Sequence, residues 1–375
     1  MKQIIYDPVA KFSLSFIALV IMFIVLKELQ VIFIPLVIAY FLFFIFEPFN
    51  NYLEKKKFPQ SISTIIDLII IILIIWGISR FIIESFSQFG DTMPVYEQKL
   101  NSIVSNAAKS FGIAEPLLAN FNIKSILADI DYGGIASGLF SSTLSIFSTS
   151  FFVLFFFIFV SSGHKKIIEA IKNRFIQTHS LESINDLLNN TDENNDSFVE
   201  TVEEQIKTEK GKEIEQTFKD ITHQVQQYIT TKTLISLITG LLVALVLWLF
   251  DVDFLIVWAV LAFVLNFIPN IGSAIAVMLP SIMALIQYES FTYALIIAGI
   301  ITVLQNIMGN IIEPKIYGNK LGLNPLVILL SLLLWGYIWG IVGMFISVPL
   351  TAVLKIIISN SKSKNLQFIS ELMGS

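Results

Sequence analysis

Thr302, Asn306, Asn310 and Glu313 follow one another at intervals of four, four and three residues inside an otherwise apolar run. On an α-helix these spacings share one face. A hydroxyl, two amides and a carboxylate in a row can bind a polar solute or hold a cation. Such a row is costly toward hydrocarbon, so it should face protein or water, either as hydrogen-bonding glue between helices or as the lining of a permeation path. Pro314 comes next, and its ring disfavours helical backbone at Glu313, which predicts an end or kink there and a place for Glu313 at a mouth rather than mid-membrane.

A second grouping is Asn266, Pro269, Asn270 and Gly272, between two short apolar arms. Proline removes a backbone donor and glycine permits close or left-handed backbone, so a break here frees amide and carbonyl groups. Free backbone at membrane depth is tolerated only inside protein or against a wet cavity, where it makes ion and solute sites. A plain loop at the membrane face is the alternative. Asp67, in TIIDLII, is the other ionisable candidate: with Glu313 it is a candidate for proton or cation coupling, against an ordinary carboxylate at the interface.

Other chemistries lack their residues. There is no cysteine, no HExxH and no phosphate-cradling G-x-x-x-x-G-K-[ST] run, so no catalytic set, metal site or cofactor is expected, and the chain does not read as an enzyme. His164, His179 and His223 have no metal-ligand spacing. No basic tract offers a nucleic-acid footprint.

The elements that must position these residues are membrane helices. Apolar residues make up 55% of the chain and charged ones 14%, with a mean hydropathy of +0.77. A soluble protein would carry about a quarter of its residues as charges. Ten apolar segments, at 12–26, 31–46, 62–83, 141–160, 233–250, 254–268, 271–287, 291–308, 325–339 and 341–357, lack the alternation of a barrel and favour helices. The fold expected is an all-α polytopic membrane protein. The pairs meeting at NFIPNIG and GYIWGIVG are either two crossings each or re-entrant hairpins, leaving about eight to ten crossings. The first segment reads as a retained anchor, with a cleaved signal peptide as the alternative.

Lys55–Lys57, Lys165 with Lys166, the loop 313–320 and the tail lysines Lys355, Lys362 and Lys364 all fall on one side of this path, which predicts that side, and both termini, to be cytoplasmic. The regions expected are N-terminal transmembrane helices over 1–83, an extracytoplasmic region over 84–140, a transmembrane helix over 141–160, a cytoplasmic helical region over 161–232, a C-terminal transmembrane transport region over 233–358 and a cytoplasmic tail over 359–375. Gly90 and Pro94 should interrupt the second of these, with a few helical turns around 93–128. In the fourth, one helix is expected over about 164–189 and another from near Phe198. Ile214, Phe218, Ile221, Val225 and Tyr228 form an apolar seam for packing, self-association or gating.

The C-terminal residues resemble the autoinducer-2 exporter family of bacterial inner-membrane proteins. The resemblance lies in Asn266, Ile268, Pro269, Gly272, Pro280, Pro314, Gly318, Asn324, Pro325, Gly336, Gly340, Gly343 and Pro349, in order and spacing over about 100 residues. Asn324 stands where many relatives have His, and Asn270 where an aromatic residue is common. The resemblance implies about eight transmembrane helices, homo-oligomers such as pentamers, and either export of the furanone autoinducer-2 or Na⁺(Li⁺)/H⁺ antiport.

The expected function is secondary transport of a small polar solute. The transport path would use Asn266, Pro269, Asn270, Gly272, Thr302, Asn306, Asn310, Glu313 and Pro314, with Gly336, Gly340 and Gly343 allowing close helix packing. Antiport is the alternative, and a non-transporting oligomeric scaffold a further one. The expected partners are the lipid bilayer, the solute or Na⁺/Li⁺ and H⁺, and further copies of the chain.

Overall fold

A computed structural model describes residues 8–110, 148–170, 173–174, 196–317, 323–359 and 364–374. The helices are α1 (Pro8–Glu28), α2 (Gln30–Lys55), α3 (Gln60–Ser110), α4 (Ser148–Ala170), α5 (Asp196–Leu249), α6 (Leu255–Leu265), α7 (Ile271–Tyr288), α8 (Phe291–Asn306), α9 (Glu313–Tyr317), α10 (Pro325–Ser359) and α11 (Lys364–Leu372), with a π-helical stretch, Ile307–Ile312, joining α8 to α9. Hydrocarbon offers backbone groups no partner, so each spanning segment must satisfy its own, which helices do. Among the described residues, seven helices are long and apolar enough to cross a membrane: α2, α3, α4, α5, α7, α8 with its continuation, and α10. Their outer faces carry exposed Ile74, Trp76, Leu241, Leu295 and Ile341, side chains suited to lipid. This is an all-α, multi-pass membrane protein.

Two sequence expectations change. Gly90 and Pro94 do not break the chain: α3 continues through both to Ser110, at 1.5 Å per residue a rod of about 75 Å. Its far half is held from the side. The Tyr96 hydroxyl donates to Asp253 at 2.7 Å, Lys99 Nζ to the Gln287 carbonyl at 2.5 Å and Ser102 to Glu289. Tertiary anchors thus override local helix propensity. Nor does the chain stop or kink into a loop at Pro314, because the preceding π turns widen the helix where the ring would meet the carbonyl four residues back. The region boundaries at 83/84, 160/161 and 232/233 fall inside α3, α4 and α5, and the seam residues Phe218 to Tyr228 run on into the apolar half of the same 54-residue helix. The expectations for 111–147 and 175–195 lie outside the described residues.

Both doubtful pairs fold back on themselves. Asn266 to Asn270 reverse the chain between α6 and α7, with Asn270 at φ 61°. Within α10, Trp339 and Gly340 leave helical geometry, Gly340 at φ 62°, and Ser331 Oγ donates to the Ser347 carbonyl at 3.1 Å and also meets Thr351. Sixteen residues of straight helix would separate Ser331 from Ser347 by about 24 Å, so α10 is a hairpin with its apex at 339–340.

The hairpins enter from opposite ends of the bundle. The α6–α7 arms start and finish beside Phe250 and Asp251, whose carbonyls accept from the Tyr288 hydroxyl at 2.5 and 3.0 Å. The apex of α10 instead reaches the end of α1, where Trp339 Nε1 donates to the Leu26 carbonyl at 2.9 Å. Its two arms pack against Val225, Tyr228 and Ile229 of α5. Phe267, at the first apex, meets Phe345 of the second hairpin with ring centroids 4.6 Å apart.

Candidate functional site

Helix α5 carries Lys232, Ser236 and Thr239 at spacings of four and three, continued by Val243 and Leu247. All five are buried, so the inner face of α5 is polar over two turns and apolar beyond. Its polar half meets three partners. Asn266, at the α6–α7 turn, donates from Nδ2 to Ser236 Oγ at 3.0 Å, and so ties the apex of the hairpin to α5. Lys232 Nζ donates to both oxygens of Glu313, at 2.7 and 2.8 Å. Thr239 returns its hydroxyl proton to the Ile235 carbonyl.

Opposite α5 runs α8, antiparallel to it, with Ile297, Ile301, Gln305 and Met308 as its buried ridge. Counting eight residues back from Glu313 and eight forward from Lys232 sets Gln305 level with Gly240. Among the described residues neither Oε1 nor Nε2 of Gln305 has a hydrogen-bond partner, although the side chain is buried. A buried amide without a partner costs about 1–3 kcal/mol. A polar molecule in the bundle could take both of its atoms.

The spacing-based stripe divides. Thr302, Asn306 and Asn310 are exposed on the outer side of α8, linked by Asn306 Nδ2 to the Thr302 carbonyl and Asn310 Nδ2 to Asn306 Oδ1, both at 2.9 Å. Glu313 is turned inward to Lys232, and Pro314 is exposed. In the first hairpin Asn266 and Gly272 are buried, Pro269 is half-buried and Asn270 exposed. The Gly272 α-carbon lies against the Leu265 carbonyl. Gly336 and Gly343 sit against the facing arm of their own hairpin, at Met344 and Trp335, while Gly340 has open space around it and supplies the turn. Asp67 lies elsewhere, buried between α3 and α2 with Asn50 as its hydrogen-bond partner.

Sequence reasoning missed Lys232, Ser236, Thr239 and Gln305. The first three carried a signal, polar residues at i, i+4 and i+7 leading into an apolar run. Gln305 had a fainter one, a single amide in register with Ile297 and Ile301.

Together these groups offer neutral donors and acceptors around one ion pair, enough to bind and orient a small polar molecule. Among the described residues no cluster of histidine and carboxylate side chains could hold a metal. If Gln305 serves a ligand and not the fold, Gln305→Leu should melt at the same temperature as the wild type or higher, because it removes a buried amide that nothing satisfies. It should also bind or move the ligand on the order of tenfold less well, about 1.4 kcal/mol. Thermal melting alongside the flux assay below checks both.

A model of the AI-2E family transporter matches residues 14–194 and 187–363. A putative transport protein of Borreliella burgdorferi is 30% identical over 350 residues, 92% of this chain and 86% of that protein. The AI-2 transport protein TqsA of Escherichia coli K12 is 46% identical over 132 residues, 35% of this chain and 38% of TqsA. The putative transport protein YhhT of the same strain is 44% identical over 138 residues, 37% of this chain and 39% of YhhT.

Proposed function

The chain belongs to the AI-2E family of membrane transporters, and we propose that it works as a secondary transporter exporting a small polar solute, with a furanone such as autoinducer-2 as the first candidate. The observation that carries this reading is the buried polar face of Lys232, Ser236 and Thr239, met by Asn266 and Glu313, with the unpartnered Gln305 buried on α8. The turn bonds the amides of Asn266, Phe267, Ile268, Ile271 and Gly272 within itself, so side chains would supply the contacts to a solute, and a hinge at Asn266–Asn270 would let the hairpin move against α5. The lysines at 55–57, 165–166 and 355 support a path across a bacterial inner membrane with both termini on the cytoplasmic side. Assembly into homo-oligomers, pentamers among them, would give exposed Thr302, Asn306 and Asn310 a protein partner in place of lipid.

Na⁺(Li⁺)/H⁺ antiport is the second reading, and buried Asp67 favours it. Proteoliposomes with an imposed pH gradient separate the two. Solute export predicts furanone flux and no collapse of the gradient on adding Na⁺ or Li⁺. Antiport predicts collapse, lost in Asp67→Asn or Glu313→Gln. Correctly inserted protein that moves neither solute nor cation would sink both and leave a scaffold.

A further inference from the structure

Asp67 lies seven residues into α3, about 10 Å along it at 1.5 Å per residue, and none of its surface is exposed. Phe43, Ile71, Phe157 and Val160 form the apolar cluster at this level of α2, α3 and α4. Its one hydrogen bond comes from Asn50 Nδ2 to Oδ2 at 2.7 Å. Among the described residues the other carboxyl oxygen, Oδ1, has no donor, and neither has Asn50 Oδ1. No ion pair among the described residues involves Asp67.

An ionised carboxylate and an amide carbonyl are both acceptors, so the second half of this pair cannot close as it stands. One proton on Asp67 Oδ1 satisfies both orphan oxygens. The acid donates to Asn50 Oδ1 while Asn50 Nδ2 donates to Asp67 Oδ2, a cyclic acid–amide pair. Exchanging the amide nitrogen and oxygen of Asn50 only moves that proton to Oδ2. An ionised Asp67 would instead be a buried charge without a counter-ion, the costlier arrangement. We propose that Asp67, closed against Asn50, is a buried proton-binding site of this transporter and holds one proton in the conformation described.

The surroundings fit a proton's route. Glu47 stands three residues before Asn50 on the same face of α2, and its Oε2 is likewise buried without a hydrogen-bond partner among the described residues, with the charge of Lys165 nearby. Glu47 also lines a cavity of 530 Å³ with His164, Lys165, Glu169, Lys219 and His223, so a proton entering there meets Glu47 before Asp67. The charged or titratable groups facing this region are Glu47 and Glu54 from α2, His164, Lys165 and Glu169 from α4, and Glu215, Lys219 and His223 from α5. Lys165 is engaged by Glu54 at 3.0 Å, and the His164 ring lies against Phe43 with centroids 4.6 Å apart. Residues Ser63 and Thr64 of α3 are neutral, and Thr64 bonds Ser161 at 2.7 Å. Any coupling of this proton to cargo rests on the transport reading above; the proton itself does not.

Infrared spectroscopy of the full chain in lipid nanodiscs at neutral pH tests the site without a transport assay. The expected result is the carbonyl band of a protonated carboxylic acid, shifted by heavy water, absent in Asp67→Asn and displaced in Asn50→Leu. Isotopic labelling of the aspartate carboxyl carbons in the wild-type protein assigns the band to an aspartate even if a variant fails to fold. An unlabelled band that survives in Asp67→Asn belongs to a glutamate such as Glu47, whereas an aspartate-labelled one would put the proton on another aspartate and overturn the assignment. So would a wild-type spectrum with no protonated-acid band, because Asp67 is then ionised. Failure of the flux assays with the band intact would remove the transport reading and leave the proton site standing.

Discussion

Glu313→Gln is expected to insert in the membrane and then to unfold well below the wild type, by about 3 kcal/mol of lost stability, the lower end of what removing one partner of a buried pair costs. Lys232 sets that magnitude. Its side chain is 8% exposed against 23% for Glu313, so losing the carboxylate strands an ammonium inside the bundle, whereas losing the ammonium leaves a carboxylate with some access to solvent. Lys232→Met should therefore be the milder single change. The double variant Lys232→Met/Glu313→Leu should recover most of the loss, because apolar residues of similar size can replace a buried pair at little cost. Melting curves of the three proteins in one detergent give the comparison. Flux through the double variant then separates the roles of the pair: if it only staples α9 to α5, the double variant transports, and if it belongs to the path, the double variant is stable and inert. A double variant no more stable than Glu313→Gln would show that the ammonium was not the penalty.

That ion pair also marks how far the sequence could be read. Glu313 was visible as a carboxylate in line with Thr302, Asn306 and Asn310, and a straight helix would have kept all four on one face. The i→i+5 pattern of Ile307–Ile312 advances by a smaller angle per residue than an α-helix, so Glu313 is rotated off the stripe and onto Lys232. Periodicity cannot report a change of period that only the folded backbone contains. Lys232 was hidden for another reason: a lysine where a polar region gives way to an apolar run reads as the water edge of a helix, and its burial depends on neighbours some 80 residues later. Apex residues were legible. Pro269, Asn270 and Gly340 disturb helices by their own covalent geometry, so the sequence located both breaks. It left hairpin or crossing undecided, since that turns on contacts such as Ser331 with Ser347 and Thr351. Gly90 and Pro94 showed the converse, local breakers overruled because Tyr96, Lys99 and Ser102 hold the far half of α3 in place. Stripe orientation was out of reach too, because an amide row has the same spacing whether it faces a path, a partner or lipid.

Gly272→Ala and Gly343→Ala should be the most damaging substitutions, each costing more than about 4 kcal/mol and leaving little folded protein. A Cβ at Gly272 would overlap the carbonyl of Leu265, and one at Gly343 the carbonyl of Trp335. Both obstacles are backbone, so no rotamer change relieves them, and the arms of each hairpin would have to part. The neighbouring glycines grade the effect by mechanism. Alanine at Gly336 would meet Met344 Cγ at 2.8 Å, the middle of a flexible side chain that can turn away. Gly340→Ala has open space but keeps a φ of 62° with a ψ of −143°, a region that is essentially glycine's alone and costs any other residue roughly 1–3 kcal/mol. Gly299→Ala meets nothing within 4 Å inside a regular helix and should be neutral or raise stability by up to about 1 kcal/mol. Yield of monodisperse protein and melting temperature across the five variants should therefore fall in the order 299, then 336 and 340, then 272 and 343. If 343 behaved like 299, the two arms of α10 would not approach as described, and the pairing of Ser331 with Ser347 and Thr351 would fail with them. If 272 did so, the turn that carries Asn266 to Ser236 would be wrong, and with it the placement of the hairpin apex beside the polar face of α5.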